Sequence, residues 1–67
     1  MSKINIDYIK LRRDLIEFFG TAMIENPLAI MDLTKVQNAS NELLEQIAIR
    51  NGFVLSDYYI NVKRYTI

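Results

Sequence analysis

Apolar residues in the first third of the chain recur at the spacing of one helix face. Alternating steps of four and three residues separate the main set: Ile4, Tyr8, Leu11, Leu15, Phe18 and Ala22. Further apolar residues widen this stripe, namely Ile9, Ile16, Phe19 and Met23. Because charged side chains fall between them, the pattern predicts an amphipathic α-helix with one buried face. Gly20 interrupts the pattern, so the predicted helix either ends at Phe19 or continues to about Ile24.

Capping residues predict two further helices. Asn26-Pro27 is typical of a helix start, because Asn accepts a bond from a free backbone N–H and Pro suits the first helical position. The second helix is therefore predicted from Pro27 to about Asn38. Ser40 is the best N-cap for a third helix, and Gly52 predicts its end in a Schellman-type stop.

The C-terminal segment allows two interpretations. Ser56 is a suitable N-cap and predicts a fourth helix over residues 57–65. The segment is also rich in aromatic and β-branched residues, so a terminal strand that pairs with a second copy of the chain is the alternative. The overall prediction is one domain, residues 1–67, with an all-α fold: a small bundle of three to four short helices.

The size of the chain predicts self-association. Its 67 residues are 51% hydrophobic and include no Cys or His, so disulfides and the usual zinc ligands cannot stabilise the fold. Part of the apolar surface is then expected to be covered by another polypeptide, and the predicted partner is a second copy, forming a homodimer, or another protein. Five apolar residues are the candidates for partner binding: Phe18, Phe19, Met23, Leu28 and Met31.

Charge and composition argue against several functions. Eight basic residues balance eight acidic ones, so no net charge attracts nucleic acid or an anionic membrane. Without His or Cys, nucleophilic triads and most zinc sites are excluded, and we expect neither catalysis nor a cofactor. No apolar stretch approaches the roughly 20 residues that span a bilayer, and no export signal is present. We therefore expect a cytoplasmic protein without membrane contact.

DNA binding through residues 43–65 is the alternative function. Ala48 and Gly52 have the spacing that a helix-turn-helix uses for close helix packing and for its turn. Together with the aromatic pair Tyr58-Tyr59, this segment resembles the C-terminal unit of the arabinose-regulator family of activators. The resemblance implies that the tyrosines pack the second helix and that basic residues contact phosphate. The candidates for such contacts are Arg50, Lys63 and Arg64.

A second resemblance covers residues 26–56. Its helix start, its Glu-Leu-Leu helix and its Gly-Phe stop followed by Leu-Ser are similar to the leader domain of nitrile-hydratase-like peptide precursors. Such leaders are docking handles for maturation enzymes. The cleavage site and core peptide of that family do not occur in this tail, so an interaction module remains the preferred hypothesis.

Overall fold

The fold is a small, mostly helical bundle closed by a two-stranded sheet. The computed structural model describes residues 4–61, with the side chains of residues 4 and 61 left out. The elements are β1 (Ile4–Ile6), α1 (Tyr8–Ala22), α2 (Ala29–Asn38), α3 (Asn41–Arg50), a 3-10 turn (Leu55–Tyr58) and β2 (Tyr59–Asn61). This arrangement confirms the predicted fold class, with three α-helices in the described part of the chain. Within residues 4–61, no helix is both long enough and apolar enough to cross a membrane.

Helix α1 is the centre of the bundle and packs against α2, α3 and the 3-10 turn. It begins at Tyr8, because the side chain of Asp7 caps it by accepting a hydrogen bond of 3.1 Å from the backbone N–H of Lys10. The prediction that the helical stripe starts at Ile4 is therefore wrong, since residues 4–6 form a strand. The helix continues through Gly20 to Ala22, as the longer of the two predicted versions requires.

The core lies where α1 meets the other two helices. Four side chains are fully buried: Leu11, Leu15, Val36 and Leu44. Other core residues surround them, namely Phe19, Ala39, Ile47, Ala48 and Tyr58. The buried residues of α1 are therefore spaced four apart, at positions 11, 15 and 19. Ile9, which the sequence pattern placed beside the stripe, is exposed.

Helix α3 has both predicted ends. The hydroxyl of Ser40 accepts a hydrogen bond of 3.2 Å from the backbone N–H of Leu43, which confirms the N-cap. At the other end Gly52 has a φ of +85°, and the backbone N–H of Phe53 donates to the carbonyl of Ala48 at 2.9 Å. This bond, together with the 3.1 Å bond from the Gly52 N–H to the Ile49 carbonyl, confirms the Schellman stop.

The C-terminal segment differs from the predicted fourth helix. Residues 59–61 form strand β2, so the prediction of a helix over residues 57–65 is wrong there; residues 62–65 lie outside the described part of the chain. Strand β2 pairs antiparallel with the chain's own β1, and Ile6 faces Tyr59. The alternative prediction of a strand is confirmed for residues 59–61, where the strand pairs within the chain; pairing with a second copy stays a prediction. Next to the pair, the backbone N–H of Asp7 donates to the carbonyl of Tyr58 at 2.7 Å.

Candidate functional site

The five predicted partner-binding residues do not form one surface. Phe19 is buried in the core, and Met23 is partly buried at the C-terminal end of α1. Leu28 and Met31 are 70% and 68% exposed at the start of α2, whereas Phe18 is 43% exposed and lines a separate groove. The structure therefore divides the accessible candidates between two surfaces.

The first surface lies at the turn between α1 and α2. We define the corner surface as Ile24, Leu28 and Met31, whose side chains are all largely exposed. Leu28 and Met31 are three residues apart and share one side of the helix start. The exposed fractions of the three residues add up to an area on the order of 500 Å². Sequence patterns missed Ile24, because it was assigned only as the end of α1.

The corner surface is exposed because α2 uses a different side to pack on α1. The residues that α2 buries are Ala29 and Val36, with Leu33 partly buried against the core. These positions follow helical spacing and leave Leu28 and Met31 outside the buried face. Helix α2 starts at Ala29, two residues later than predicted.

The second surface is a groove between α1 and the segment that follows α3. We call it the aromatic groove; its lining residues are Asp14, Glu17, Phe18, Thr21, Ala22, Phe53 and Tyr58, and its volume is about 530 Å³. Phe18 meets Phe53 edge to face, with ring centroids 5.4 Å apart. The Phe53 and Tyr58 rings are stacked at 6.5 Å. No local sequence signal places Phe53 beside Phe18.

A polar network closes one end of the aromatic groove. The Tyr58 hydroxyl donates to Oδ2 of Asp14 at 2.7 Å, and the Lys10 ammonium lies 3.5 Å from the same oxygen. Lys10 Nζ is also 4.8 Å from the centroid of the Tyr58 ring. The hydrogen bond from Tyr58, assisted by Lys10, lowers the pKa of Asp14, so this carboxylate is charged at neutral pH. Burial, followed by the bond to Asp14, raises the pKa of Tyr58 to about 12.

A smaller cleft of about 170 Å³ lies beside α2 and α3. Its lining residues are Phe19, Asp32, Lys35, Ile47, Arg50 and Asn51. Arg50 is one of the predicted nucleic-acid contacts, and here it shares the cleft with the acidic Asp32. The cleft therefore presents both signs of charge rather than a basic surface suited to phosphate.

The other requirements of the DNA-binding alternative are not found within residues 4–61. Lys63 and Arg64 lie outside the described residues. A 3-10 turn and a strand occupy residues 55–61, where a helix-turn-helix needs the beginning of its second helix. DNA binding stays a prediction that no described surface supports.

Comparison with known proteins supplies no functional assignment. No family model matches the chain, and no curated protein or solved structure is significantly similar to it. The functional argument therefore depends on the exposed surfaces and on their chemistry.

Proposed function

We propose that the protein is a small helical interaction module that self-associates as a homodimer through the corner surface. The observation that supports this proposal most strongly is the exposure of three large apolar side chains close together in the sequence. Ile24 is 82% exposed, and Leu28 and Met31 follow it after the turn that leads into α2. Burying such side chains against a second copy is favourable, because apolar area removed from water stabilises the complex by about 25 cal/mol per Å².

The size of the corner surface is suited to a modest interface. A standard protein interface buries about 800 Å² on each partner. The corner surface provides more than half of this area, and the neighbouring exposed residues Pro27 and Ile30 extend it. Chains of this length without disulfides or metal ions commonly gain stability from oligomerisation.

The charges that border the corner surface are complementary to those of a second copy. Glu25 lies between Ile24 and Leu28 in the sequence, and Lys35 follows Met31 by one turn of α2. In a two-fold arrangement with antiparallel α2 helices, Leu28 meets Met31 of the other copy, and Glu25 then lies close to Lys35 of that copy. The same pairs form twice, as a two-fold symmetric interface requires.

Matched double variants test this proposal. Replacing Leu28 and Met31 with Gln removes apolar surface from the corner, whereas replacing Ile9 and Ile49 with Gln removes similarly exposed residues elsewhere. Gln is neutral, so the helix dipoles affect the variants little. Light scattering over a wide concentration range measures the dimer dissociation constant, which we expect to rise about tenfold or more in the corner variant and to stay unchanged in the control.

Two results would contradict the proposal. The first is a wild-type protein that remains monomeric at concentrations approaching millimolar. The second is an equal loss of association in both double variants, since this would show that nonspecific apolar contact causes the association. Far-UV circular dichroism of each variant establishes that the helices are intact.

A further inference from the structure

We propose that the aromatic groove binds an arginine side chain presented by a partner polypeptide. This inference goes beyond self-association and depends on a different surface. Three features of the groove support it: an exposed aromatic wall, carboxylate oxygens without side-chain partners, and a lysine of the same chain that already combines both kinds of contact.

The aromatic wall fits a flat cation. Phe18 is 43% exposed, and its edge-to-face contact with Phe53 fixes the orientation of its ring. A guanidinium group stacks on such rings through cation–π attraction, and its flat shape gives more contact than an ammonium group. The groove volume of about 530 Å³ accommodates one long side chain together with its neighbouring residues.

The carboxylates of the groove retain free acceptor positions. Tyr58 and Lys10 both bind Oδ2 of Asp14, and among residues 4–61 no side chain donates to Oδ1. Glu17, which follows Asp14 by three residues on α1, takes part in no hydrogen bond or ion pair with another described side chain. An arginine is the natural occupant, because its planar fork of N–H donors binds carboxylates in pairs.

Lys10 shows the proposed mode of binding within the chain. Its ammonium contacts both the Tyr58 ring and the Asp14 carboxylate. Lys10 forms an ion pair with Asp14, and Arg13 adds a weaker attraction to the same carboxylate, whereas Glu17 has no ion-pair partner among the described side chains and can accept an incoming cation. An apolar side chain would instead desolvate Glu17 without compensation, and an acidic one would be repelled. Charge complementarity therefore selects a basic residue flanked by apolar ones.

Peptide titration followed by NMR tests the inference. The probe is acetyl-Leu-Arg-Leu-amide, and the control is the same peptide with citrulline, which has the shape of arginine without its charge. We expect shifts in the backbone amide signals of Glu17, Phe18 and Phe53, and about fivefold tighter binding of the arginine peptide. Equal affinities for the two peptides, or no binding of the arginine peptide, would overturn the proposal.

Single variants assign the contacts. Glu17→Gln should weaken the arginine peptide about two- to fivefold and leave the citrulline peptide unchanged, because it removes an exposed ion pair. Glu42→Gln removes an exposed carboxylate on α3, outside the groove, and should have no effect. The proposal is wrong if Glu17→Gln leaves arginine binding intact, or if the amide shifts cluster at Leu28 and Met31.

Dimerisation through the corner surface and arginine binding in the aromatic groove can each be contradicted without affecting the other. The corner variant with Gln at positions 28 and 31 should still bind the arginine peptide, whether or not the protein self-associates. If that variant loses peptide binding while its helices stay intact, the binding site is at the corner and the groove assignment is wrong.

Discussion

The two ends of α1 contain similar apolar residues but lie in different surroundings. In the N-terminal half, Tyr8 donates a hydrogen bond to Glu45 of α3, and Tyr58 from the end of the 3-10 turn donates to Asp14 near the middle of the helix. At the C-terminal end the chain turns directly into α2 and leaves Ile24 exposed. The difference shows that burial here depends on whether a distant segment returns to cover a helix face.

Matched leucine truncations should show the largest difference between the two regions. Leu15→Ala removes a fully buried side chain, and we expect a loss of about 2–5 kcal/mol in the free energy of unfolding. Leu28→Ala at the exposed corner should cost about 0.5 kcal/mol or less in dilute solution. Urea denaturation at low protein concentration measures both. Similar losses would show that the corner is covered within the monomer.

Tyr58→Phe tests the hydrogen bond that joins the 3-10 turn to Asp14 of α1. Loss of the hydrogen bond to the Asp14 carboxylate should cost about 1–2 kcal/mol at neutral pH, because the acceptor is charged and partly screened by solvent. Thermal or urea denaturation measures this loss. Glu17 accepts no hydrogen bond from another described side chain, so Glu17→Gln is the control and should leave the free energy of unfolding nearly unchanged.

The pH dependence of stability provides an independent test of the hydrogen bond between Tyr58 and Asp14. In the folded protein the pKa of Tyr58 is raised to about 12, whereas an unfolded tyrosine ionises near pH 10. Between these values the unfolded chain releases a proton that the folded chain retains, so wild-type stability should fall as the pH rises. The decline should be smaller in Tyr58→Phe. It should not disappear, because the hydrogen bond to Glu45 also raises the pKa of Tyr8.

Low pH should also weaken the hydrogen bond between Tyr58 and Asp14, because it protonates the Asp14 carboxylate. The folded pKa of Asp14 is lowered, so its contribution is complete above the unfolded value near 4 and is lost as the pH falls below it. Asp14→Asn should make the stability of the protein less sensitive to acid. Urea denaturation between pH 2 and pH 6 checks this expectation, and an unchanged acid dependence would contradict it.

Substitutions of the two glycines should give small effects of opposite sign. Gly52 has a φ of +85°, so Gly52→Ala should cost about 1 kcal/mol although nothing blocks the new methyl group. Gly20 lies inside α1 with open space around it, and Gly20→Ala should stabilise the protein by up to about 1 kcal/mol. Urea denaturation of both variants measures the difference. A loss of stability in Gly20→Ala would show that the end of α1 needs its flexibility.

Local signals in the sequence predicted the parts of the fold that depend on neighbouring residues. Ser40 and Gly52 mark the ends of α3 because a cap and a left-handed residue act within one turn. The periodicity of α1 correctly indicated Leu11 and Leu15. It placed Phe18 in the main stripe and Phe19 beside it, whereas Phe19 is buried and Phe18 is exposed, because packing against the other helices decides which ring is covered.

Long-range pairing explains most of what sequence patterns could not show. Strand β1 has only three residues, and Ile4 also matches the helical stripe, so the structure of this segment depends on pairing with β2. The aromatic groove has the same origin, because Phe53 and Tyr58 reach α1 only after the chain has turned at Gly52. In contrast, the exposure of Leu28 and Met31 agreed with the expectation of surplus apolar surface.

The β1–β2 pair has a consequence for synthesis of the chain on the ribosome. Helices α1, α2 and α3 lie between the two strands in the sequence, so they can form before β1 is able to pair with β2. The strand pair can close only once Asn61 has been synthesised and has left the exit tunnel. Until that moment the nascent bundle lacks its sheet, and the amide and carbonyl groups of β1 are without their β2 partners.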